Sequence, residues 1–532
     1  MMVDAASASI LAFALAMRAC VGLFGYSGEG TPPMYGDFEA QRHWMEITVN
    51  LPASSWYVHG PNNDLLYWGL DYPPLSAHLS FVLGKLAIAF GHPNLVALHT
   101  SRGHETPATR AFMRNTVLVC DALIFMSAAA AFASAVGAQS TGGRRLVFSQ
   151  LLFAPALILV DHGHFQYNAV SLGLTLWASH LAMGGGRPLA CCVAFSLALN
   201  FKQMSLYLAP AFFCYLLAGC FHCTSDSKAW RRRRLVRTLF AIFRLGAAVI
   251  VTFAACWVPF LGSTDAALAV VRRVFPVERH LYEDKVANIW CTLALLPFLK
   301  LKQMLPIATL LRVALGTTLV ALLPPCAILL WRPSRAGFLL CALSCGLAFF
   351  LCSFQVHEKH ILLPLLPASL LAHRQPTLFA WFSALATFSL YPLLKRDGLA
   401  PAYAITQLSF LAFSLSLVTS GQALGVGGGT LPMPRGGVAL MSASLTGALL
   451  LHALESLVTP PVRYPDLHSV LFAAYSCAHF VVAYCAAVAL QWGAARAADG
   501  RDKHTPMDSK TTTFEVEIYL DPPGTNMKRK VR

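Results

Sequence analysis

Charge is scarce in this chain. Only 12% of its 532 residues are Asp, Glu, Lys or Arg, whereas a water-soluble globular protein carries about 25%. That scarcity excludes an ordinary soluble enzyme. Asn-x-Ser/Thr sequons are absent, so no attached glycan marks one side of a membrane. The first apolar segment lacks a basic stretch before it and is followed by further apolar runs. It therefore reads as a first transmembrane helix and not as a cleaved leader. The fifteen cysteines do not pair off; most lie in apolar runs, as at Cys191-Cys192, Cys341, Cys345 and Cys352, where they act as small buried hydrophobes. Cys220 and Cys223 resemble half a zinc motif, but no second pair has matching spacing, which leaves metal binding there without support.

What the chain has in abundance is apolar sequence. Hydrophobic residues make up 56% of it and the mean hydropathy is +0.57. Apolar runs recur from residues 7–25 to 468–492, and about 11 to 14 crossings are expected, the shorter runs being broken or re-entrant. The chain is thus an all-α polytopic membrane protein. The net charge of +15 concentrates in Lys228–Arg237, Arg144-Arg145 and the tail. Such clusters mark the cytoplasmic face of a membrane protein and do not indicate a nucleic-acid site. These features divide the chain into a first helix (1–25), a polar loop (26–74), a long helical region with motif-bearing loops (75–355), later helices (356–493) and a polar tail (494–532).

The polar stretches fall opposite the basic clusters if the helices after residue 113 alternate regularly. One tension remains at 75–91, because a complete crossing there breaks the parity. The loop 26–74 carries Glu29, Asp37, Glu39, Glu46, Asp64 and Asp71 against one basic residue, Arg42, and is rich in Tyr and Trp. Rings stack on sugar faces and carboxylates accept hydroxyl protons, so this composition suits a carbohydrate or cation site. A short helix opening at Asp37 places Gln41, Trp44 and Thr48 on its face, with Arg42 and Glu46 paired at i, i+4. Asp37 is then either a catalytic carboxylate or only the helix cap. Asp71-Tyr-Pro-Pro74 is a rigid entry into the next apolar segment, with Asp71 placed to cap it. Asp161-His-Gly-His-Phe-Gln-Tyr-Asn168 ends an apolar run with a density of polar groups that is costly unless it lines a wet cavity. His357-Glu-Lys-His360 brings ionisable groups between two apolar runs, where a cation could hold a phosphate. The mixed charges of Phe275–Asn288 suit a solvated loop as well as a binding role.

Together, Gly36–Thr48, Tyr67-Trp-Gly-Leu-Asp-Tyr-Pro-Pro74, Ser101-Arg-Gly-His-Glu105, Gly163–Asn168, Asn200-Phe-Lys-Gln-Met204, Glu283–Trp290 and Phe354–Lys359 resemble a known family. It is the endoplasmic-reticulum glucosyltransferases that use dolichyl phosphate glucose. The match runs in order from about residue 20 to 490. The run Glu39-Ala-Gln-Arg-His-Trp-Met-Glu46 is closest to the branch that adds the first glucose to the nine-mannose lipid-linked oligosaccharide.

The resemblance implies a GT-C fold with a luminal catalytic loop, and inverting transfer of glucose to an α-1,3 bond. The family's catalytic aspartate maps onto Asp37. One base suffices, because a phosphate monoester leaves without needing a proton, and positioned cations stabilise it. His357 and Lys359 are the expected phosphate ligands, with Lys202 and Arg279 further candidates. Trp44, His164, Gln166 and Tyr167 are expected sugar contacts, while Glu39, Arg42, Glu46 and Asp71 have structural or binding roles. No clustered carboxylate pair calls for a divalent ion, so metal-free, cofactor-free catalysis is expected, with dolichyl phosphate glucose and a dolichyl-diphosphate oligosaccharide as substrates. Lys528 and Lys530, fifth and third from the end, resemble an ER retrieval signal read by coat proteins, which requires a cytosolic C-terminus. A transporter is the competing class, since broken helices and intramembrane ionisable residues also serve alternating access. The large loop outside the spans and the lack of an internal repeat weigh against it.

Overall fold

The computed structural model of the chain describes residues 4–136, 141–184, 187–222, 231–275, 285–294, 304–419 and 437–502. Among these the regular elements are helices, and the only extended pairing is an isolated bridge between Gly60 and Asn63. Arg279, Cys223, Lys528 and Lys530 lie outside the described residues.

The first half contains α1 (Ala5–Val21), α2 (Asp37–Asn50), α3 (Pro74–Ala89), α4 (Pro107–Val136), α5 (Thr141–Leu152), α6 (Pro155–Phe165), α7 (Asn168–Met183), α8 (Pro188–Phe201), α9 (Gln203–Phe221), α10 (Arg231–Trp257) and α11 (Thr264–Val274). The second half follows with α12 (Ile307–Trp331), α13 (Arg335–Cys352), α14 (Leu362–Leu371), α15 (Pro376–Ser389), α16 (Tyr391–Arg396), α17 (Ala400–Thr419), α18 (Gly437–Leu457) and α19 (Leu467–Asp502).

Among the described residues, seven helices are long and apolar enough to cross a membrane, or eight if α5 and α6, bent by 44° at their break, form one broken span. α1, α3 and α8 are shorter apolar helices of 17, 16 and 14 residues, below the roughly 20 of a straight full span. α14 and α15 are apolar because they are interior: α14 is buried along its entire length, as expected of a helix hydrophobic on all sides. α13 likewise sits at the centre of the bundle, its apolar stretch 83% buried. By contrast, the corresponding stretches of α10 and α18 are 17% and 11% buried. Their uncovered Phe240, Phe243, Ile250, Leu449 and Leu450 form a surface that only lipid can solvate.

The structure also resolves the parity at 75–91. α3 leaves from Pro73-Pro74 and runs beside α2, and the chain after it returns to α2: Arg42 donates to the Leu95 carbonyl and Asn50 to that of Val96. Glu105 and Arg110 then meet Tyr26 and Glu29. Both ends of α3 therefore contact the 26–74 region, and the segment does not carry the chain to the other face.

Candidate functional site

α2 is polar yet buried from Phe38 to Thr48. Burial of so many ionisable groups is tolerable only if each is paired. The Arg42 guanidinium meets Glu39 Oε1 at 2.6 Å and Glu46 Oε2 at 2.8 Å, and also binds Ser101 Oγ at 2.5 Å. Tyr67 donates to Glu39, His43 contacts Glu46, and the His99 backbone N–H donates to Glu46. Burial disfavours charge on Glu46, but the His43 contact and the Arg42 guanidinium outweigh it and hold its carboxyl at about 2. Glu39, Arg42 and Glu46 thus lock α2 to the loops around it.

The helix cap falls on Gly36, and the Asp37 backbone N–H donates to Ser27 Oγ at 3.1 Å. Asp37 is therefore the first residue of α2, and its carboxylate is not used as a cap. Three donors from distant parts of the chain converge on its Oδ2: Lys359 Nζ at 2.5 Å, His164 Nε2 at 3.0 Å, and Gln166 Nε2. Among the described residues no hydrogen bond reaches Oδ1, and the side chain keeps 21% of its surface exposed. Burial opposes ionisation of Asp37, yet the Lys359 ammonium and the His164 ring hold its carboxyl well below the usual carboxylate range.

His164 and Gln166 reach the same oxygen because of the residue between them. Phe165 has φ of +85°, a conformation rare for a bulky side chain. It closes a π-helical stretch, Leu159–Phe165, of the kind that recurs at functional sites. The turn swings two side chains toward α2, and the buried Phe165 ring packs on Phe38, next to Asp37, with centroids 4.7 Å apart. Asp161 accepts from Asn168 Nδ2 and the Ala169 backbone N–H. His162 contacts Asp121, which pairs with the fully buried Arg18 at 2.6 Å. Arg114 donates to the carbonyls of His162 and Gly163.

The expected phosphate ligands separate. Lys359 is at the centre, presented by the single turn Glu358–Ile361, which His357 caps. Lys202 lies one step behind: its ammonium binds Asn168 Oδ1 at 2.6 Å and Gln166 Oε1 at 3.1 Å, and faces the Tyr72 ring. Burial and the nearby Lys359 charge push the Lys202 ammonium down to about 8. Beside it is a small cleft lined by Gln41, Tyr72, Ser76, Ser80, Tyr167 and Lys202 on its polar side and Met45, Leu79, Leu83 and Phe201 on its apolar side.

Three readings change. Trp44 is buried and its indole donates to the Trp68 carbonyl at 2.8 Å, so it supports the loop and offers no open ring face. Tyr167 lines the cleft, but its hydroxyl is committed to Thr116. Asp71 does not cap α3: Pro73 occupies the cap position without a side-chain bond, and the Asp71 carbonyl accepts from Gln203. The sequence reading also missed Asp397, whose carboxylate lies 2.5 Å from His164 Nδ1, and Arg114. Asp397 sits in a Lys395-Arg-Asp-Gly398 turn that carries no motif, and nothing local distinguishes it from a surface loop.

The chain thus joins a polytopic helical membrane fold to a half-buried carboxylate, a buried imidazole and an ammonium in mutual contact. The chain belongs to the ALG6, ALG8 glycosyltransferase family, which it matches over residues 14–486. Among individual relatives, the Gallus gallus protein named dolichyl pyrophosphate Man9GlcNAc2 alpha-1,3-glucosyltransferase is 43% identical over 486 residues, covering 88% of this chain and 93% of the relative. An Arabidopsis thaliana protein with the same name, qualified as probable, is 43% identical over 479 residues, with 88% and 86% covered. The Saccharomyces cerevisiae protein of that name is 39% identical over 487 residues, with 86% of each chain covered.

Proposed function

We propose that this protein transfers glucose from dolichyl phosphate β-glucose to the terminal mannose of the nine-mannose dolichyl-diphosphate oligosaccharide, forming an α-1,3 bond with inversion. The relatives' names support the acceptor and the linkage. In the structure, the reading is carried by the contact of Asp37 with Lys359, a candidate base touching a candidate phosphate ligand.

In the proposed reaction Asp37 Oδ1 accepts the proton of the acceptor hydroxyl as that oxygen attacks the anomeric carbon. The bond from that carbon to the phosphate oxygen breaks on the opposite face, and its electron pair stays on the phosphate. Lys359, with His357 beside it, receives the developing charge, a task that suits a flexible point charge. Donor binding then draws Lys359 away from Asp37 and raises the basicity of the carboxylate at the moment it is needed. Lys202 holds Gln166 in place and adds its positive field from behind; Arg279 is a further candidate for the phosphate. His164 and Gln166 hold the base in place. No step calls for a metal ion. The site faces the ER lumen in this reading, with the basic segments and the C-terminus cytosolic and Lys528 and Lys530 available for retrieval.

The test is glucose transfer by purified protein in detergent, with dolichyl phosphate glucose and acceptors carrying nine mannoses and either no glucose or one. Conversion of the glucose-free acceptor alone, lost in Asp37→Asn and unchanged by EDTA, is expected. Conversion of only the monoglucosylated acceptor would reassign the protein to second-glucose transfer. No turnover of either by folded protein would return the transporter reading to the front.

A further inference from the structure

His164 is held from both sides. Its Nε2 lies 3.0 Å from Asp37 Oδ2 and its Nδ1 lies 2.5 Å from Asp397 Oδ2. The His164 and Asp397 side chains are 2% and 3% exposed. The ring is thus the middle member of a carboxylate–imidazole–carboxylate line ending at the candidate base. The other charged group against it is Lys359, 3.1 Å from Nε2. The carbonyls just before and at Gly163 are fastened by Arg114.

The backbone is shaped to bring Asp397 this close. A Cβ on Gly25 would sit 2.5 Å from the Asp397 carbonyl oxygen, and one on Gly163 would sit 2.9 Å from a Leu399 methyl. Two glycines, one at the start of the α2 loop and one in the π-helical turn, therefore let the 397–399 turn seat directly against the site. From the other side α16 is pinned to α18 by contacts of Lys395 and Tyr391 with Glu455. A lone buried carboxylate would be costly; this one has an imidazole partner and a built seat.

We propose that Asp397 is a positioning residue for glucosyl transfer: by accepting from His164 Nδ1 it fixes the ring so that Nε2 holds Oδ2 of Asp37 and leaves Oδ1 aimed at the acceptor hydroxyl. The inference rests on the glucosyltransferase reading given above. Between two carboxylates the ring carries a proton on each nitrogen, as an imidazolium, and the Asp397 contact locks its plane. Asp397 does not touch the reacting atoms; it acts through His164, 233 residues away in sequence.

The experiment is a double-mutant cycle on kcat and KM with dolichyl phosphate glucose and the glucose-free acceptor, using full-length protein whose thermal unfolding is monitored in parallel. Asp397→Asn is expected to lower kcat by roughly 10- to 100-fold with both KM values nearly unchanged, the range seen when an imidazole loses its orienting partner. Asp397→Glu is expected to recover part of that loss. Gly25→Ala, which displaces the turn without removing the carboxylate, is expected to lower kcat in the same way. The deciding comparison is His164→Gln against His164→Gln/Asp397→Asn. If Asp397 acts only through the ring, the second substitution changes kcat by less than about twofold once the ring is gone. Full kcat in Asp397→Asn, or an undiminished Asp397 effect in the His164→Gln background, would overturn the inference while the wild-type turnover leaves the glucosyltransferase reading intact. Absence of transfer by folded wild-type protein would overturn both.

Discussion

At the scale of single residues, the chemistry turns on how Asp37 is restrained before substrate arrives. Lys359 and His164 hold its carboxyl well below the usual range against the opposing effect of burial, so the base stays ionised throughout mildly acidic and neutral pH. A group with a depressed value is charged above that value and loses its charge only as pH falls through it. Lys359→Met removes the Lys359 attraction, and the acid limb of the kcat/KM profile, which reports the free enzyme, is expected to move to higher pH, in addition to a fall in kcat of about 100-fold or more from the lost phosphate contact. Steady-state rates across pH 4.5 to about 8 check this against the ordinary carboxylate range; an unmoved acid limb would show that Lys359 does not set the basicity of Asp37. Glu46 follows the same sign. Its carboxyl is held at about 2 from an ordinary 4.5, which corresponds to stability on the order of 3 kcal/mol. That stability is present above about pH 4.5 and is lost as pH falls from there toward 2. Thermal unfolding of wild type and Glu46→Gln should therefore converge as pH is lowered through that window, the variant being the flatter of the two.

At the scale of elements, α2 is where sequence and structure agree most closely. The i, i+4 pairing of Arg42 with Glu46 was legible because helical spacing alone brings these groups together, and the structure adds Glu39 at i−3 and Ser101 from a distant loop. The whole cluster is inaccessible to water, Arg42 and Glu46 being 0% exposed. Arg42→Ala strands two buried carboxylates and is expected to destabilise the protein by about 3–5 kcal/mol, read as a lower unfolding temperature. The α2 N-terminus gives a milder test. Ser27 supplies the acceptor for the Asp37 N–H, so Ser27→Ala should cost about 1 kcal/mol, as loss of a helix cap does, with kcat reduced because α2 carries the base. The π-helical turn was not legible. The polar run Asp161–Asn168 announced that the segment mattered, but assigning Asp161 to the α7 N-terminus, His162 to Asp121 and His164 to Asp37 required the left-handed Phe165. Helical or alternating periodicity contains no signal for that conformation.

At the scale of the whole molecule, the contacts order the chain relative to one active face. The site gathers residues from the α2 start, the end of α6, the turn before α14 and the turn after α16. The 458–466 loop meets Lys285 through the Lys285–Asp466 ion pair at 2.7 Å, and Val462 there is 99% exposed. Val462→Asn with Tyr464→Thr introduces a glycan acceptor sequon. Expressed in microsomes, this variant should gain one endoglycosidase-sensitive glycan if the loop shares a luminal face with the site. No mobility shift, with the variant shown to be inserted, would contradict that topology. The sequence by itself determined the membrane class, the helical architecture and the polar loop that carries the candidate base. These follow from composition, apolar run length and near-neighbour spacing, which act locally along the chain. It did not separate apolar helices that face lipid, as α10 does, from those packed among other helices, as α14 is. Only the tertiary structure decided that Asp37 meets Lys359 across 322 residues and that Asp397 stands behind His164 across 233. Those meetings depend on close backbone approach at glycines and on one left-handed turn, and no pattern read along the chain encodes which distant groups such approaches bring into contact.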